Sequence, residues 1–271
     1  MGPIRIFQIL SISGSMHKQI IVKDLYKRYG QLEVLKGLNL EVYEGETLVI
    51  LGRSGVGKSV LLKQIIGIEK PDSGSIEIDD IHMSSMEENR SPAKMGMLFQ
   101  GSALFDSLDV AQNTAFYLNE HERDLSPKEV NERVSHALEL VGLSGTENKL
   151  PSDLSGGMRK RAALARLIVY HPKIILYDEP TTGLDPITAM QINDLINTTQ
   201  KQLKATSIVV THDIRSALEI GDRLAFHHDG KIAQIAPKDE FMKIDDPLLH
   251  AFFENAILTN DLLHGQPHRR S

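Results

Sequence analysis

The chain has 271 residues, of which 41% are hydrophobic and 24% are charged, so it is long enough to bury a substantial core. Its formal net charge of −6 argues against a protein that coats nucleic acid, and the absence of cysteine excludes disulfides and thiolate metal sites. No apolar run reaches the roughly 18 residues of a membrane span. Polar residues interrupt the N-terminal stretch, which predicts a disordered leader over residues 1–17 rather than a signal peptide. We therefore expect a soluble intracellular protein.

The N-terminal part of the chain predicts strands on both sides of a glycine-rich turn. Alternating apolar residues between positions 20 and 46 predict two paired strands with a turn near Gly30. The run "TLVIL" is continuously apolar, which is typical of a buried parallel strand. A helix is predicted over residues 59–68, followed by strands in "PDSGSIEIDD" and "KMGMLFQ".

Residues 101–153 lack buried strand runs and show helical spacing instead. The clearest helix is predicted after Ser126, which can cap it, with Pro127 at its first position and Glu129 completing a capping box. Its apolar face would consist of Val130, Val134, Ala137, Leu138 and Val141. The pattern therefore predicts a helical insert inside an α/β chain.

The second half of the chain alternates helices with strands. Helices are predicted in "GMRKRAALARLIVYH" and "ITAMQINDLINTTQKQLK", and buried strands in "KIILYDE" and "TSIVVTHD". A hairpin follows and turns at Asp229 and Gly230. Because this alternation implies crossover connections, it predicts a parallel sheet. The adjacent His227 and His228 lack metal-ligand spacing, so we expect both to be solvated.

The stretch "GRSGVGKS" matches the pattern of a phosphate-binding loop and lies between a predicted strand and a predicted helix. Its glycines would let backbone N–H groups surround phosphate oxygens, at a helix N-terminus that favours anions. Lys58 would contact the β- and γ-phosphates, and Ser59 would offer a hydroxyl to Mg²⁺. The predicted ATP-binding residues here are Gly52, Arg53, Ser54, Gly55, Val56, Gly57, Lys58, Ser59 and Val60. On this pattern alone, a plain glycine-rich turn stays open.

A pair of acids ends the predicted strand "IILYDEP". The carboxyl ends of parallel strands are where ligands bind in open α/β sheets. Asp178 would hold Mg²⁺ through water, and Glu179 would polarise the attacking water. The alternative is that the acids only cap the strand, which the straight apolar run before them makes weak.

A second glycine-rich helix start occurs in "LSGGMRKR", where Ser155, Gly156 and Gly157 would form another anion-binding N-terminus. These residues resemble the LSGGQ signature of ATP-binding cassette (ABC) proteins. The three motifs fall in that family's order and spacing, and the resemblance covers residues 20–235. In the family, two cassettes pair head to tail, and each signature closes on the ATP held by the other subunit.

The resemblance implies the fold and the domain organisation. We expect a P-loop NTPase (RecA-like) core with an N-terminal antiparallel β subdomain and an inserted helical subdomain. The ATPase domain would span residues 18–235, with the helical subdomain at about 101–158. Residues 236–271 would form a partly helical C-terminal tail.

The resemblance also assigns four further residues. Tyr29 resembles the aromatic residue that stacks on adenine, and Gln100 resembles the Q-loop glutamine that contacts Mg²⁺ and water. Asp185 resembles the D-loop aspartate near the dimer seam, and His212 the histidine that contacts the γ-phosphate. The implied catalytic set is Glu179, His212 and Gln100, the implied metal set is Ser59, Gln100 and Asp178, and the implied cofactors are ATP and Mg²⁺.

Two positions depart from the family pattern. Val60 lacks the second hydroxyl of the usual GKST or GKSS, but Ser59 keeps the Mg²⁺ role. Met158 replaces the usual signature glutamine, while Ser155 and the glycine N–H groups keep the predicted phosphate contact. We expect little loss of function from either.

The combination of "GKSVLLK", "MLFQGSALFDSLDV", "LSGGMRKRAALAR" and "LYDEPTTGLDPIT" resembles the ATPases of Mla/MCE-type lipid transport systems. That resemblance implies a homodimer on the cytoplasmic face of the inner membrane, below a permease linked to an MCE protein, with no nucleic-acid partner. Leu104, Phe105 and Leu108 would either dock the permease or form the core of the helical subdomain. The alternatives are another importer-type cassette, a non-transport ABC ATPase and a catalytically silent cassette.

The tail carries too many apolar residues for a purely solvated segment: Leu248, Leu249, Phe252, Phe253, Ile257, Leu262 and Leu263. We expect it to dock on its own core, or alternatively on a paired subunit, and expect the residues beyond Gly265 to be frayed.

Overall fold

The computed structural model describes residues 17–83 and 94–254, in two sheets with helices between and beside them. The strands are β1 Lys18–Tyr29, β2 Leu32–Tyr43, β3 Thr47–Leu51, β4 Ser73–Ile78, β5 Ile81–His82, β6 Met95–Leu98, β7 Ile174–Asp178, β8 Thr206–Thr211, β9 Arg223–His228 and β10 Lys231–Pro237. The helices are α1 Lys58–Ile65, α2 Val110–His121, α3 Pro127–Leu140, α4 Gly156–Ile168, α5 Pro186–Leu203, α6 Ile214–Ile220 and α7 Lys238–Phe241. One further helical stretch covers residues 247–254.

The smaller sheet is antiparallel and has the strand order β2-β1-β4-β5. β1 and β2 form a hairpin whose last pair is Tyr29 with Leu32, and Gly30 in the connecting turn has φ 58°. A positive φ at this point is accessible to glycine at little cost. Ile20, Val22 and Leu25 of β1 are buried, so one face of the sheet packs inward as the alternating pattern predicts.

The larger sheet has the order β10-β9-β3-β8-β7-β6, and all its pairs are parallel except β9 with β10. β3, β7 and β8 are buried along their whole length because both faces of the sheet are covered. Their parallel register brings Leu51 beside Thr211 and Asp178 beside Val210. The carboxyl ends of these three strands therefore meet at one edge.

The larger sheet separates two hydrophobic cores. Leu48 and Ile50 of β3 face a core shared with the antiparallel sheet and α1, whereas Val49 and Leu51 face a core built with α4, α5 and α6. This alternation follows from the two-residue repeat of a strand. This arrangement fits the predicted fold, a P-loop NTPase core with an antiparallel β subdomain and a helical insert.

The helical insert contains α2 and α3, which pack on α4. The predicted capping box of α3 is present, with the Ser126 side chain accepting from Glu129 N–H and Glu129 accepting in return. Val134, Ala137 and Leu138 are buried as predicted, while Val130 is half-buried at the edge of the same face. None of the helices within the described ranges is long and apolar enough to cross a membrane.

The described part of the tail packs on its own chain. Leu249 and Phe252 are buried in the core that holds α4 and α5, and the Phe252 ring lies 5.2 Å from the Phe226 ring of β9. The predicted docking in cis is therefore confirmed for these two residues. Leu248 was expected to join them but is half exposed, because it lies on the solvent side of the same helical turn. Ile257, Leu262, Leu263 and residues 1–16 of the predicted leader lie outside the described residues.

Candidate nucleotide site

The loop between β3 and α1 needs glycine for two different reasons. Gly57 has φ 103°, and a Cβ atom there would lie 2.5 Å from the Val34 side chain. Gly52 is buried, and a Cβ atom there would lie 2.7 Å from the carbonyl oxygen of His227. One glycine thus provides a left-handed turn and the other a close approach to β9. The result is a loop with bare backbone at the carboxyl edge of the sheet.

The contact at Gly52 also corrects a prediction. His227 was expected to be solvated, but it is 1% exposed, and neither ring nitrogen has a hydrogen-bond partner among the described residues. Burial, followed by the positive charge of Lys58, lowers the pKa of His227 to about 4. The alternation of β9 turns His227 inward beneath the phosphate loop, whereas the neighbouring His228 is exposed as predicted.

Lys58 begins α1 and is almost fully buried. Its Nζ donates to the carbonyl oxygens of Gly52, at 2.7 Å, and Arg53, at 2.9 Å, and lies 3.3 Å from Glu179 Oε1. Burial lowers its pKa, while the carboxylates of Glu179 and Asp178 act in the opposite direction. Two carbonyl oxygens and a carboxylate therefore hold the ammonium group over the loop. Phosphate oxygens could take their place as hydrogen-bond acceptors.

Ser59 and Asp178 come together from two different elements. The Ser59 hydroxyl donates to Asp178 Oδ1 at 2.6 Å, joining the first turn of α1 to the end of β7. Burial raises the pKa of Asp178, and the Ser59 hydrogen bond opposes that rise. A hydroxyl and a carboxylate oxygen at this distance fit the oxygen ligands that Mg²⁺ prefers. Gln100 lines the same cleft from the end of β6.

Glu179 is the most highly connected acid of the site. It is 7% exposed, its backbone has φ 48°, and its Oε2 lies 2.9 Å from His212 Nδ1 and accepts from the Thr182 hydroxyl at 3.0 Å. Burial alone would raise its pKa, but the His212 hydrogen bond and the Lys58 charge lower it to about 2. The same hydrogen bond raises the pKa of His212. Glu179 is thus an ionised acceptor at neutral pH.

These side chains surround one cleft of about 290 Å³, lined by Val34, Ser54, Gly55, Gly57, Lys58, Ser59, Val60, Gln100, Glu179, Thr182 and His212. Val34 and Thr182 were not predicted as site residues. Thr182 could have been suspected from its place three residues after Glu179, but Val34 reaches the cleft only through the packing of β2 on the loop. A sequence profile of the ABC transporter family matches residues 35–182 of this chain.

The chain belongs to the ABC transporter family. As an ABC ATPase, it binds ATP with Mg²⁺ and hydrolyses the ATP. Ser59 and Asp178, with Gln100 beside them, offer oxygen atoms of the kind that fit this metal. When bound, Mg²⁺ would neutralise charge on the phosphates.

Relatives of this ABC ATPase carry several transport names. It is 40% identical over 236 residues to a probable ribonucleotide transport ATP-binding protein, mkl, of Mycobacterium leprae, covering 86% of this chain and 68% of the relative. It is 38% identical over 248 residues to the chloroplastic protein trigalactosyldiacylglycerol 3 of Arabidopsis thaliana, covering 85% and 72%. It is 36% identical over 246 residues to the methionine import ATP-binding protein MetN of Clostridium tetani, covering 89% and 77%.

A solved structure shares the fold of this ABC ATPase along most of its length. The dimeric ATP-binding cassette MJ0796 in a post-hydrolysis state with ADP and Pi has a TM-score of 0.75 and 32% identity, covering 81% of this chain and 98% of that one. The fold and the ATPase activity predicted from the sequence are therefore confirmed.

Four predicted residues lie away from the cleft of their own chain. Ser155 and Gly156 are exposed at the start of α4, where the Ser155 hydroxyl accepts from Met158 N–H at 3.3 Å. Asp185 caps α5 and accepts from the N–H groups of Ile187 and Thr188. Gly157 is buried against α5, where a Cβ atom would lie 2.5 Å from the Thr188 side chain. The signature and D-loop residues thus lie close together at the starts of α4 and α5, outside the cleft.

Tyr29 also lies outside the residues that line the cleft. Its ring is about half exposed, its hydroxyl donates to Glu69, and Lys27 Nζ lies 5.5 Å from the ring centre. Within the loop itself, Gly52 is buried, Arg53 is exposed and Val56 is half-buried, and none of the three lines the cleft. Their predicted contacts with ATP stay predictions.

Proposed function

We propose that Lys58 binds the β- and γ-phosphates of ATP and that Glu179 orients the water that attacks the γ-phosphate. The observation that carries this proposal is the position of Glu179, which lies in one cleft between the Lys58 ammonium at 3.3 Å and His212 at 2.9 Å. A carboxylate with a pKa of about 2 stays ionised and can accept a hydrogen bond from water. His212 would then turn from Glu179 to the γ-phosphate, and Ser59, Asp178 and Gln100 would hold Mg²⁺.

The cassette acts as a head-to-tail homodimer in this proposal. Ser155, Gly156 and Gly157 do not line their own cleft, yet they form a helix N-terminus suited to phosphate. A second copy would bring them, and Asp185 nearby, against the open side of the cleft. The dimeric state of the related cassette MJ0796 supports this arrangement.

The proposed partner of the dimer is an inner-membrane permease, which places the cassette on the cytoplasmic face. Phe105 and Phe116 form an exposed aromatic pair with ring centres 4.6 Å apart. Asn113 is fully buried and accepts from Phe105 N–H at 2.8 Å while its amide donates to Phe105 O, so the backbone of Phe105 is bonded to α2. Leu104 instead packs against the core. These contacts favour Phe105 as the permease anchor and Leu104 as a core residue.

For the cargo, we propose a phospholipid or another hydrophobic molecule moved between membranes, with an MCE-type protein attached through the permease. The relative named for trigalactosyldiacylglycerol, a glycolipid, supports this branch. The methionine import relative supports the alternative, an importer for a small solute.

The experiment that separates the two is purification of the tagged full-length chain from native membranes in mild detergent. A co-purifying permease with an MCE protein would support the lipid branch. A co-purifying permease with a solute-binding protein would support the importer, and Phe105→Asp should reduce recovery of either. Leu104→Asp is unsuited as a control because it places a charge in the core, so the exposed Leu32→Asp serves instead.

A further inference from the structure

Lys160 is a buried lysine that the proposed chemistry does not use. It lies one turn into α4, directly after the signature residues, and only 5% of it is exposed. A buried ammonium is costly unless its donors are satisfied. Lys160 Nζ donates to the carbonyl oxygen of Gln100 at 2.5 Å and lies 3.4 Å from the carbonyl oxygen of Glu179. The two residues it holds by their backbones are the Q-loop glutamine and the acid at the end of β7.

Glu179 itself has an unusual backbone conformation, and the Gln100 carbonyl group lies just before one. Glu179 has φ 48°, and the turn after Gln100 contains two consecutive non-glycine residues in the left-handed region, Ser102 with φ 65° and Ala103 with φ 50°. Such conformations persist only where surrounding contacts impose them. The ammonium group supplies a contact to each segment. Burial lowers the pKa of Lys160, and the nearby carboxylates of Asp178 and Glu179 oppose that lowering.

A second cation of α4 also bonds to this turn, and we call the two cations and the carbonyl groups they contact the clamp. Arg166 donates to the carbonyl oxygens of Ala103 at 2.7 Å and Ser102 at 3.3 Å, and its guanidinium lies 5.6 Å from the centre of the Phe105 ring. The signature helix is therefore bonded to the Q-loop backbone at three carbonyl groups. Lys160 extends this connection to the carbonyl oxygen of Glu179.

We propose that Lys160 is a positioning residue that makes the signature helix, Gln100 and Glu179 of one subunit move as a unit. It touches the backbone of the two residues rather than the nucleotide, so its loss should misplace their side chains without removing the phosphate loop. The inference rests on the proposed roles of Gln100 and Glu179. It predicts that turnover depends on Lys160 while ATP affinity, set at Lys58, does not.

The test uses the absence of cysteine from the chain. Lys160→Cys introduces a single thiol, which can be alkylated in the unfolded full-length chain before refolding. Treatment with 2-bromoethylamine restores an ammonium at lysine's reach, whereas 1-bromopropane adds a neutral group of the same length. Lys201→Cys, at an exposed position of α5, receives the same treatments as a control.

We expect kcat of the Lys160→Cys and propyl forms to fall at least about tenfold, as a small misplacement of reacting groups would cause, with little change in the Kd for ATP. Aminoethylation should recover most of the loss, and the Lys201 forms should match the unaltered chain. Equal rescue by the propyl group would reduce Lys160 to a packing role. An unchanged kcat in the propyl form would remove the proposal.

Amide hydrogen exchange gives a readout that does not need turnover. The Ser102 N–H donates to the Phe99 carbonyl oxygen at 3.0 Å, so it reports on the clamped turn. Exchange there should rise in the propyl form and return in the aminoethyl form, with β8 unaffected. A rise in β8 as well would indicate global destabilisation and count against a local clamp. If Glu179→Gln kept normal turnover, the proposed role of Glu179 would fail, but exchange would still decide whether Lys160 holds this turn.

Discussion

Two helices of the chain, α1 and α4, begin with residues rich in glycine and serine. The two helix starts differ in their surroundings. The first, before α1, borders the cleft, carries the buried cation Lys58 and contacts Glu179, the acid that follows β7. The second, before α4, lies outside the cleft, and its serine accepts a hydrogen bond from its own helix. Both could bind an anion through backbone N–H groups. The first has a buried cation and a cleft around it. In the proposed dimer, the second becomes a site when the partner subunit covers it.

The largest effect is expected for Glu179→Gln. This variant removes the negative charge that lies beside Lys58 in the first helix start. Because the neutral amide cannot accept a proton from the attacking water, we expect kcat to fall about a thousandfold, with ATP still bound. The ATP-bound dimer should then accumulate, and size-exclusion chromatography with ATP and Mg²⁺ would detect it.

A matched control is Glu46→Gln, another buried acid, which pairs with Arg223 at 2.9 Å at the opposite end of β3. It should lower stability and leave kcat unchanged. Normal turnover of the Glu179 variant would show that a different group activates the water.

Lys58→Ala removes the cation of the first start. We expect kcat/KM for ATP to fall about a hundredfold, because a preorganised charge on the phosphates is lost. Unlike the Glu179 variant, this one should also bind ATP more weakly, which calorimetry measures. Lys128→Ala, at an exposed position of α3, is the control. Unchanged affinity would mean that the glycine loop is not the phosphate site.

The difference between the two helix starts was only partly predictable from the sequence. The loop, the acids at the end of β7 and the helix cap at Ser155 follow from local patterns, because each depends on neighbours a few residues away. The burial of Lys160 and His227 does not, because it depends on strands and loops distant in sequence that cover them. From the sequence alone, a lysine on a helix and a histidine beside a turn are both expected to be exposed to solvent. Only the assembled sheet shows that they are buried. The short helix α6 was also missed, since its seven residues offer too little periodicity.

A smaller effect tests whether the second start works only in a dimer. Ser155→Ala should lower kcat at saturating ATP about tenfold by removing one phosphate contact from the partner's site. It also removes a helix cap, so the control is Ser126→Ala, whose hydroxyl accepts from Glu129 N–H at the same distance of 3.3 Å. Both variants should lose similar stability, about 1 kcal/mol. Equal loss of turnover in both would assign Ser155 a structural role only.

The smallest effect concerns His227, which connects the first start to β9. Its pKa of about 4 in the folded chain lies below the ordinary 6.5, so between these values the unfolded chain binds the proton more readily. The stabilisation that the neutral His227 gives to the folded chain is therefore complete above pH 6.5, and it is lost as the pH falls toward 4. Between about pH 7.5 and about pH 5.5 this amounts to about 1 kcal/mol of unfolding free energy.

Replacing the histidine should remove that part of the pH dependence. Urea titrations across this range should show that His227→Met loses about 1 kcal/mol less than the unaltered chain on acidification. His228→Met, one residue further and exposed, should retain the full loss. If the His227 variant lost as much stability as the unaltered chain, the imidazole would not stay neutral beneath the loop. A charged imidazole would then lie beside Lys58, where β9 approaches Gly52. The phosphate loop before α1 would in that case be less enclosed than its contacts indicate, and it would differ less from the helix start before α4.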